Sequence, residues 1–174
     1  MTAWRFESML LDLSKIIDMP GASIDFSVSL DLSDLEFGSC APLKTPVTCQ
    51  GTVRNTAGVL MTTGTIRAHL NAVCDRCGED YEDDLTYPLD VVLVTELADE
   101  DHEDEGIFPL EGNFADMDEI IRTVFILNMD TKFLCSDDCL GLCCGCGVNL
   151  NREKCRCKKE IDPRFAALQQ LLNK

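Results

Sequence analysis

Residues 47–74 read VTCQGTVRNTAGVLMTTGTIRAHLNAVC, and this stretch decides the fold. Residues 47–54 and 59–73 are expected to be the arms of a hairpin. They meet at Asn55-Thr56-Ala57-Gly58, where Asn and Gly supply turn chemistry. In the second arm Ile66, Ala68, Leu70, Ala72 and Cys74 fall on one face, and Thr65, Arg67, His69 and Asn71 on the other. A period of two is that of a strand with one buried face; a helix would spread these residues around its axis.

The same logic extends in both directions. Upstream, residues 22–32 place Ile24, Phe26, Val28 and Leu30 at alternate positions, predicting a half-buried strand. Downstream, Cys74-Asp75-Arg76-Cys77-Gly78 makes a tight loop. Residues 84–97 then form another strand with Leu85, Tyr87, Leu89, Val91, Leu93 and Leu97 on one face. The run Asp99-Glu100-Asp101-His102-Glu103-Asp104-Glu105-Gly106 cannot pack against itself and reads as a mobile loop. Beyond it, Asp116 is a helix N-cap with Glu119 three residues on. Met117, Ile120, Ile121, Val124, Phe125 and Asn128 recur at helical spacing. A second helix is expected from Asp162-Pro163, with Phe165, Leu168, Leu171 and Leu172 as its apolar face. The fold class is therefore α+β: an antiparallel sheet or open barrel with two helices and a C-terminal cysteine-rich zinc knuckle. The division expected is a β-rich domain with one packing helix over 1–130, and the knuckle and C-terminal helix over 131–174.

The charge is unevenly distributed. The 174 residues carry a net −16. From Cys74 to Glu119 there are eighteen acids against one base, and from Leu150 to Lys174 seven bases against three acids. An acidic middle repels phosphate and suits a basic partner, although solubility alone would account for it; the basic tail is the part suited to nucleic acid. No apolar run approaches the roughly 18–20 residues of a membrane span. The first residues show no export signal, so the protein is expected in the cytoplasm.

In such a reducing compartment, eleven cysteines point to metal rather than disulfides. Seven lie in the order Cys135-x3-Cys139-x3-Cys143-Cys144-x-Cys146-x8-Cys155-x-Cys157. This segment has little apolar content, and four thiolates around one Zn2+ would replace a core. The expected ligands are Cys143, Cys146, Cys155 and Cys157. Cys143-x2-Cys146 followed by Gly147 has the knuckle spacing. Cys74, Cys77, Cys135 and Cys139 are a possible second site or substitutes. Read alone, Cys74-x2-Cys77 is also compatible with a redox pair, although its antiparallel setting and acidic neighbours argue against that. Cys40, Cys49 and Cys144 read as bystanders.

Nothing in the chain calls for catalysis. His69 and His102 lack ligand spacing to the cysteines. There is no phosphate loop, nucleophile elbow or H-E-x-x-H. The acidic run lacks the spaced ligands and central glycine of a calcium loop.

Five segments in order, Leu30–Leu35, Val53–Leu60, Cys74–Cys77, Cys139–Asn151 and Ile161–Leu168, resemble the YceD family of bacterial and plastid proteins. The family pattern carries C-x-R-C at Cys74 and Cys77, and many members carry the C-terminal cysteines. Cys144 stands where the family usually has Pro. The resemblance implies a role in accumulation of large-subunit ribosomal RNA and in large-subunit assembly, without implying a mechanism. The functional expectation is a non-enzymatic assembly factor. Its acidic stretch 79–105 would shield a basic ribosomal protein, and Arg152, Lys154, Arg156, Lys158, Lys159 and Arg164 would touch rRNA phosphates. The rival is a zinc-thiolate redox sensor that releases metal on oxidation.

Overall fold

The computed structural model describes residues 9–37, 41–95 and 106–157. The central element is a five-stranded sheet in the order β2-β3-β4-β5-β6. Its strands are β2 (Ser23–Leu30), β3 (Val47–Thr56), β4 (Val59–Val73), β5 (Asp80–Val94) and β6 (Ile107–Pro109). The first four pair antiparallel in sequence order, while β6 joins β5 in parallel. The sheet is thus open and mostly antiparallel, as expected, with the short edge strand β6 making it mixed. Beside it, β1 (Leu10–Asp12) and β7 (Phe114–Asp116) form a two-stranded antiparallel ribbon. Strands of three residues carry no readable periodicity, so β1, β6 and β7 have no sequence signal of their own.

The hairpin forms as its alternation requires. Thr56 pairs with Val59, leaving Ala57 and Gly58 as a two-residue turn with φ of 55° and 95°. Asn55 is not in that turn. It is the last inward residue of β3 and only 1% exposed. Its Nδ2 donates to the carbonyls of Ile16 (2.8 Å) and Ile17 (2.7 Å), and its Oδ1 accepts from Gly58 N (2.8 Å). Its backbone bonds Ala22 and Gly21. One buried amide therefore ties the hairpin to the N-terminal turn with its hydrogen-bonding capacity used, the condition under which burying it is affordable.

Midway along the hairpin Gly51 faces Gly64. A Cβ on Gly51 would lie 2.4 Å from the Thr63 carbonyl oxygen and 2.8 Å from the Phe26 ring. Two strands approach here more closely than side chains permit, and Phe26 fills the space above them.

One face of the sheet is the core. Phe26, Val28, Val53, Ile66, Leu70, Leu89 and Val91 pack there with Leu13, Ile16, Leu32 and Leu43. The helix α1 (Met117–Asn128) covers part of that face with Met117, Ile120, Ile121, Val124 and Phe125. Its N-cap is Asp116, whose carboxylate accepts from Asp118 N and Glu119 N, both at 3.1 Å. Asn128 is exposed; its amide bonds the Val124 carbonyl, and Met129 takes the inward position. This is the single helix among the described residues. The helix expected from Asp162 and the acidic run 99–105 lie outside them.

Candidate metal centre

The loop between β4 and β5 is a knuckle. Val73 pairs with Asp80, so Cys74 to Glu79 must reverse the chain. Cys74 N donates to the Glu79 carbonyl and Gly78 N to the Cys74 carbonyl, both at 2.8 Å. The same pair of bonds recurs farther along. Cys143 N donates to the Val148 carbonyl (2.9 Å) and Gly147 N to the Cys143 carbonyl (2.8 Å). Gly78 and Gly147 occupy equivalent positions with φ of 71° and 73°, a conformation L side chains rarely adopt. The molecule therefore contains one local structure twice, C-x2-C-G, once rooted in a sheet and once in a coil.

Each knuckle is completed by two more cysteines. Cys74, Cys77, Cys135 and Cys139 form one group, and Cys143, Cys146, Cys155 and Cys157 another. Within each, all sulfurs lie within 4.8 Å of one another. A cation held tetrahedrally with metal–sulfur bonds of about 2.3 Å spaces its sulfurs about 3.8 Å apart. In the first group Cys74–Cys139 is 3.8 Å and Cys77–Cys135 is 3.7 Å. In the second Cys146–Cys155 is 3.8 Å and Cys143–Cys155 is shorter, 3.1 Å. All eight are free thiols. The two clusters have the donor set and spacing to hold a metal ion each.

Their ionisation fits that use. Burial pushes the Cys74 thiol up, but backbone N–H groups of Cys135, Cys77 and Arg76 outweigh it and bring it down to about 6. Backbone N–H of Cys146, the Cys155 thiol and backbone N–H of Gly145 bring Cys143 to about 6. The neighbours move the other way. Cys135 is pushed up to about 12, first by its contact with Cys74, and Cys157 to about 12, first by its contact with Cys146. Four sulfurs this close cannot all ionise alone. A divalent cation reverses the balance, because it stabilises every thiolate it touches.

The surroundings of the first cluster come from the β4–β5 loop and from the segment after α1. Asp75 and Phe133 exchange two bonds of 2.8 Å, Asp75 N to the Phe133 carbonyl and Phe133 N to Asp75 Oδ2. Arg76 Nη1 donates to the carbonyls of Asp137 (3.0 Å) and Cys139 (3.1 Å), fixing the segment that carries Cys135 and Cys139. The second cluster leans on the first. Leu142 N donates to the Arg76 carbonyl (3.0 Å), and Arg152 forms an ion pair with Glu79 (2.7 Å). Asn151 Nδ2 donates to Cys139 Sγ (3.2 Å) while its Oδ1 accepts from Leu140 N (2.7 Å). Such outer donors orient ligands and temper thiolate charge. Asp75, Arg76 and Asn151 have roles that the spacing of cysteines does not reveal, although all three stand inside the segments that resemble the YceD family. Gly78 repeating Gly147 was the available sign that the two C-x2-C pairs are alike.

The remaining sequence candidates fall as follows. Cys144 is exposed and outside both clusters. Cys49 is in the sheet core, where burial pushes its thiol up to about 11. Lys154 and Arg156 are exposed, and Arg152 is engaged with Glu79. His69 lies on the outer face of β4 against Asp84 at 2.7 Å. Cys40, His102, Lys158, Lys159 and Arg164 lie outside the described residues. No described helix is long and apolar enough to cross a membrane.

An open sheet whose hairpin loop and C-terminal coil each carry a C-x2-C-G turn, each completed to four cysteines by a second pair, defines a class of small α+β protein with two cysteine clusters that could hold metal. Residues 62–172, which contain all eight clustered cysteines, match the family described as "Large ribosomal RNA subunit accumulation protein YceD", and the chain belongs to that family. It is 25% identical to the chloroplastic Large ribosomal RNA subunit accumulation protein YCED homolog 1 of Arabidopsis thaliana, over 86% of this chain and 54% of that protein. It is also 26% identical to uncharacterized proteins of Mycobacterium bovis and Mycobacterium tuberculosis, over 94% of this chain and 81% of theirs. The chain thus spans about half the length of the plant relative. No solved structure matches it.

Proposed function

We propose that this chain is a non-enzymatic, cytoplasmic factor that supports accumulation of large-subunit rRNA during ribosome assembly, with a structural Zn2+ in each cysteine cluster. The observation that carries the reading is the repeated four-sulfur knuckle inside the family-matched region. Four sulfur donors per centre fill a tetrahedral shell and leave no open position for a substrate, which favours structural over catalytic metal. Sulfur-only sites at this spacing suit Zn2+ or iron.

In this reading residues 1–130 are the scaffold and 131–174 the reading end. Cys143, Cys146, Cys155 and Cys157 would fold the coil that displays Arg152, Lys154 and Arg156, with Lys158, Lys159 and Arg164 following. Cys74, Cys77, Cys135 and Cys139 would fasten that coil to the sheet. The six bases would contact rRNA phosphates, and the acidic stretch 79–105 would shield a basic ribosomal protein. Depleting the protein should lower large-subunit rRNA relative to small-subunit rRNA, and a variant with the six bases neutralised should fail to restore it. If binding of rRNA to purified protein changes little between 50 and 200 mM salt, where six phosphate contacts predict a loss of about a thousandfold, the RNA contact is wrong.

A zinc-thiolate redox sensor is the second reading, favoured by the exposure of Cys146 and Cys157. It requires metal release at low peroxide; metal retained until the fold is lost would dismiss it.

A further inference from the structure

The inward face of β5 changes character along its length. Leu89, Val91 and Leu93 are buried, Leu85 and Tyr87 half-buried, and Asp83 exposed although the alternation points it to the core side, opposite Leu70. Helix α1 covers the buried end. Over the other end runs the segment from Met129 to Asp137, and between this segment and β5 lies a cleft of about 350 Å³. That volume is at the small end of ligand pockets, suited to a side chain rather than a cofactor.

The walls are set in place by the rest of the fold. Tyr87 packs edge-to-face on Phe125 at 5.7 Å, and its hydroxyl lies 3.8 Å from Met129 Sδ. Tyr81 packs against the first cysteine cluster. Between and opposite the two rings stand Asp83, Asp130 and Asp137, with Lys132 the single base of the lining. Asp83 and Asp130 line the same cleft as the Tyr87 ring, and burial first, then the charges of Asp130 and Asp83, pushes the Tyr87 hydroxyl upward. Among the described residues only cysteines bring several ligand atoms within 4.8 Å of one another, so these carboxylates are too widely spread to enclose a metal ion. An anion would meet three like charges. A neutral apolar group would leave those charges unused.

We propose that this cleft is a docking site for an arginine side chain of a basic polypeptide, its guanidinium held by Asp83 and Asp130 and its stem lying against Tyr81 and Tyr87. A guanidinium is planar, stacks on aromatic faces and donates to two carboxylates at once, and a net negative aromatic cleft fits those properties together. The inference deepens the assembly reading by assigning the basic partner a point of attachment on the sheet, and it rests on that reading only for the partner being ribosomal. Cys135 follows the cleft wall directly, so a metal in the first cluster would hold the wall in register.

The probe is acetyl-Gly-Arg-Gly-Arg-Gly-amide, with its citrulline counterpart as the uncharged isostere. Binding to the full-length, metal-loaded protein is followed by calorimetry and by amide chemical shifts. The expected result is saturable binding of the arginine peptide with shifts at Tyr81, Tyr87 and Lys132, and none with citrulline. Asp83→Asn with Asp130→Asn should weaken it about tenfold or more, the scale of lost charge-assisted hydrogen bonds. Asp90→Asn with Glu111→Gln removes the same two charges elsewhere on exposed positions and should change it less than twofold. Equal weakening by both pairs would reduce the effect to diffuse attraction and overturn the site. So would equal binding of citrulline, or shifts confined to residues outside the cleft. If the peptide fails while depletion still lowers large-subunit rRNA, the cleft is overturned and the assembly role stands.

Discussion

The two knuckles share spacing, hydrogen bonds and glycine geometry but differ in what lies beneath them. The first closes a long sheet hairpin, and Cys74, Cys77 and Cys139 are buried at 1%, 4% and 6% exposure. The second closes only an isolated antiparallel bridge, Leu142 to Asn149. Its four cysteines are half-buried or exposed, and its stabilising contacts run to the first cluster through Leu142, Asn151 and Arg152. With a metal bound, the same four-cysteine arrangement would reinforce a structure that already exists in one case and take the place of a core in the other.

The largest test of that contrast is metal removal. Chelation should release the amides of 141–157 to rapid hydrogen exchange while those of β3 and β4 stay protected, because structural zinc in small modules contributes roughly 10 kcal/mol or more of folding free energy. Single variants should be asymmetric. Cys143→Ser should lower metal content to one ion per chain, whereas Cys77→Ser should also weaken the second site, which leans on the first. Elemental analysis of both variants measures this, and equal behaviour would break the hierarchy.

On the sheet side, Asn55→Ala should cost about 2–3 kcal/mol in urea unfolding, because it removes three hydrogen bonds of a buried amide, to the Ile16 and Ile17 carbonyls and from Gly58 N. Metal content should not change. The contact between the two regions is sharpened by Asn151→Ala, expected to speed metal loss from the first cluster by about tenfold or more in a chelator competition. Arg152→Ala should cost less than about 1 kcal/mol, since its pair with Glu79 is exposed. The smallest effect concerns His69. Hydrogen bonding to Asp84 raises its pKa above 6.5, so its stabilising contribution is complete below the unfolded value and disappears as pH rises through the folded one. A titration of the imidazole by NMR should show the raised midpoint, and Asp84→Asn should lower it.

The hairpin, the β2 strand and the Asp116 cap were legible because each is a local pattern: alternation, or an oxygen preceding a helical stripe. The register of β6 was not, because a parallel edge strand of three residues is positioned by β5 and not by its own sequence. Asn55 read as a turn residue because its type is common there, and only the fold reveals that Ile16 and Ile17 come within reach of its amide. The second cluster was readable since its four cysteines lie within fifteen positions. The first reads from the sequence only as a possible grouping, as Cys77 and Cys135 are 58 residues apart and the fold is what brings them together. The antiparallel hairpin is what delivers one half, and Asp75 and Arg76 are what hold the other.

That separation also orders events in time. A ribosome adding roughly 5–20 residues per second makes Cys77 about 3–12 s before it makes Cys135. For that interval the chain holds two of the four sulfurs that the first cluster would offer a cation, and the remaining pair closes a loop that spans a third of the chain.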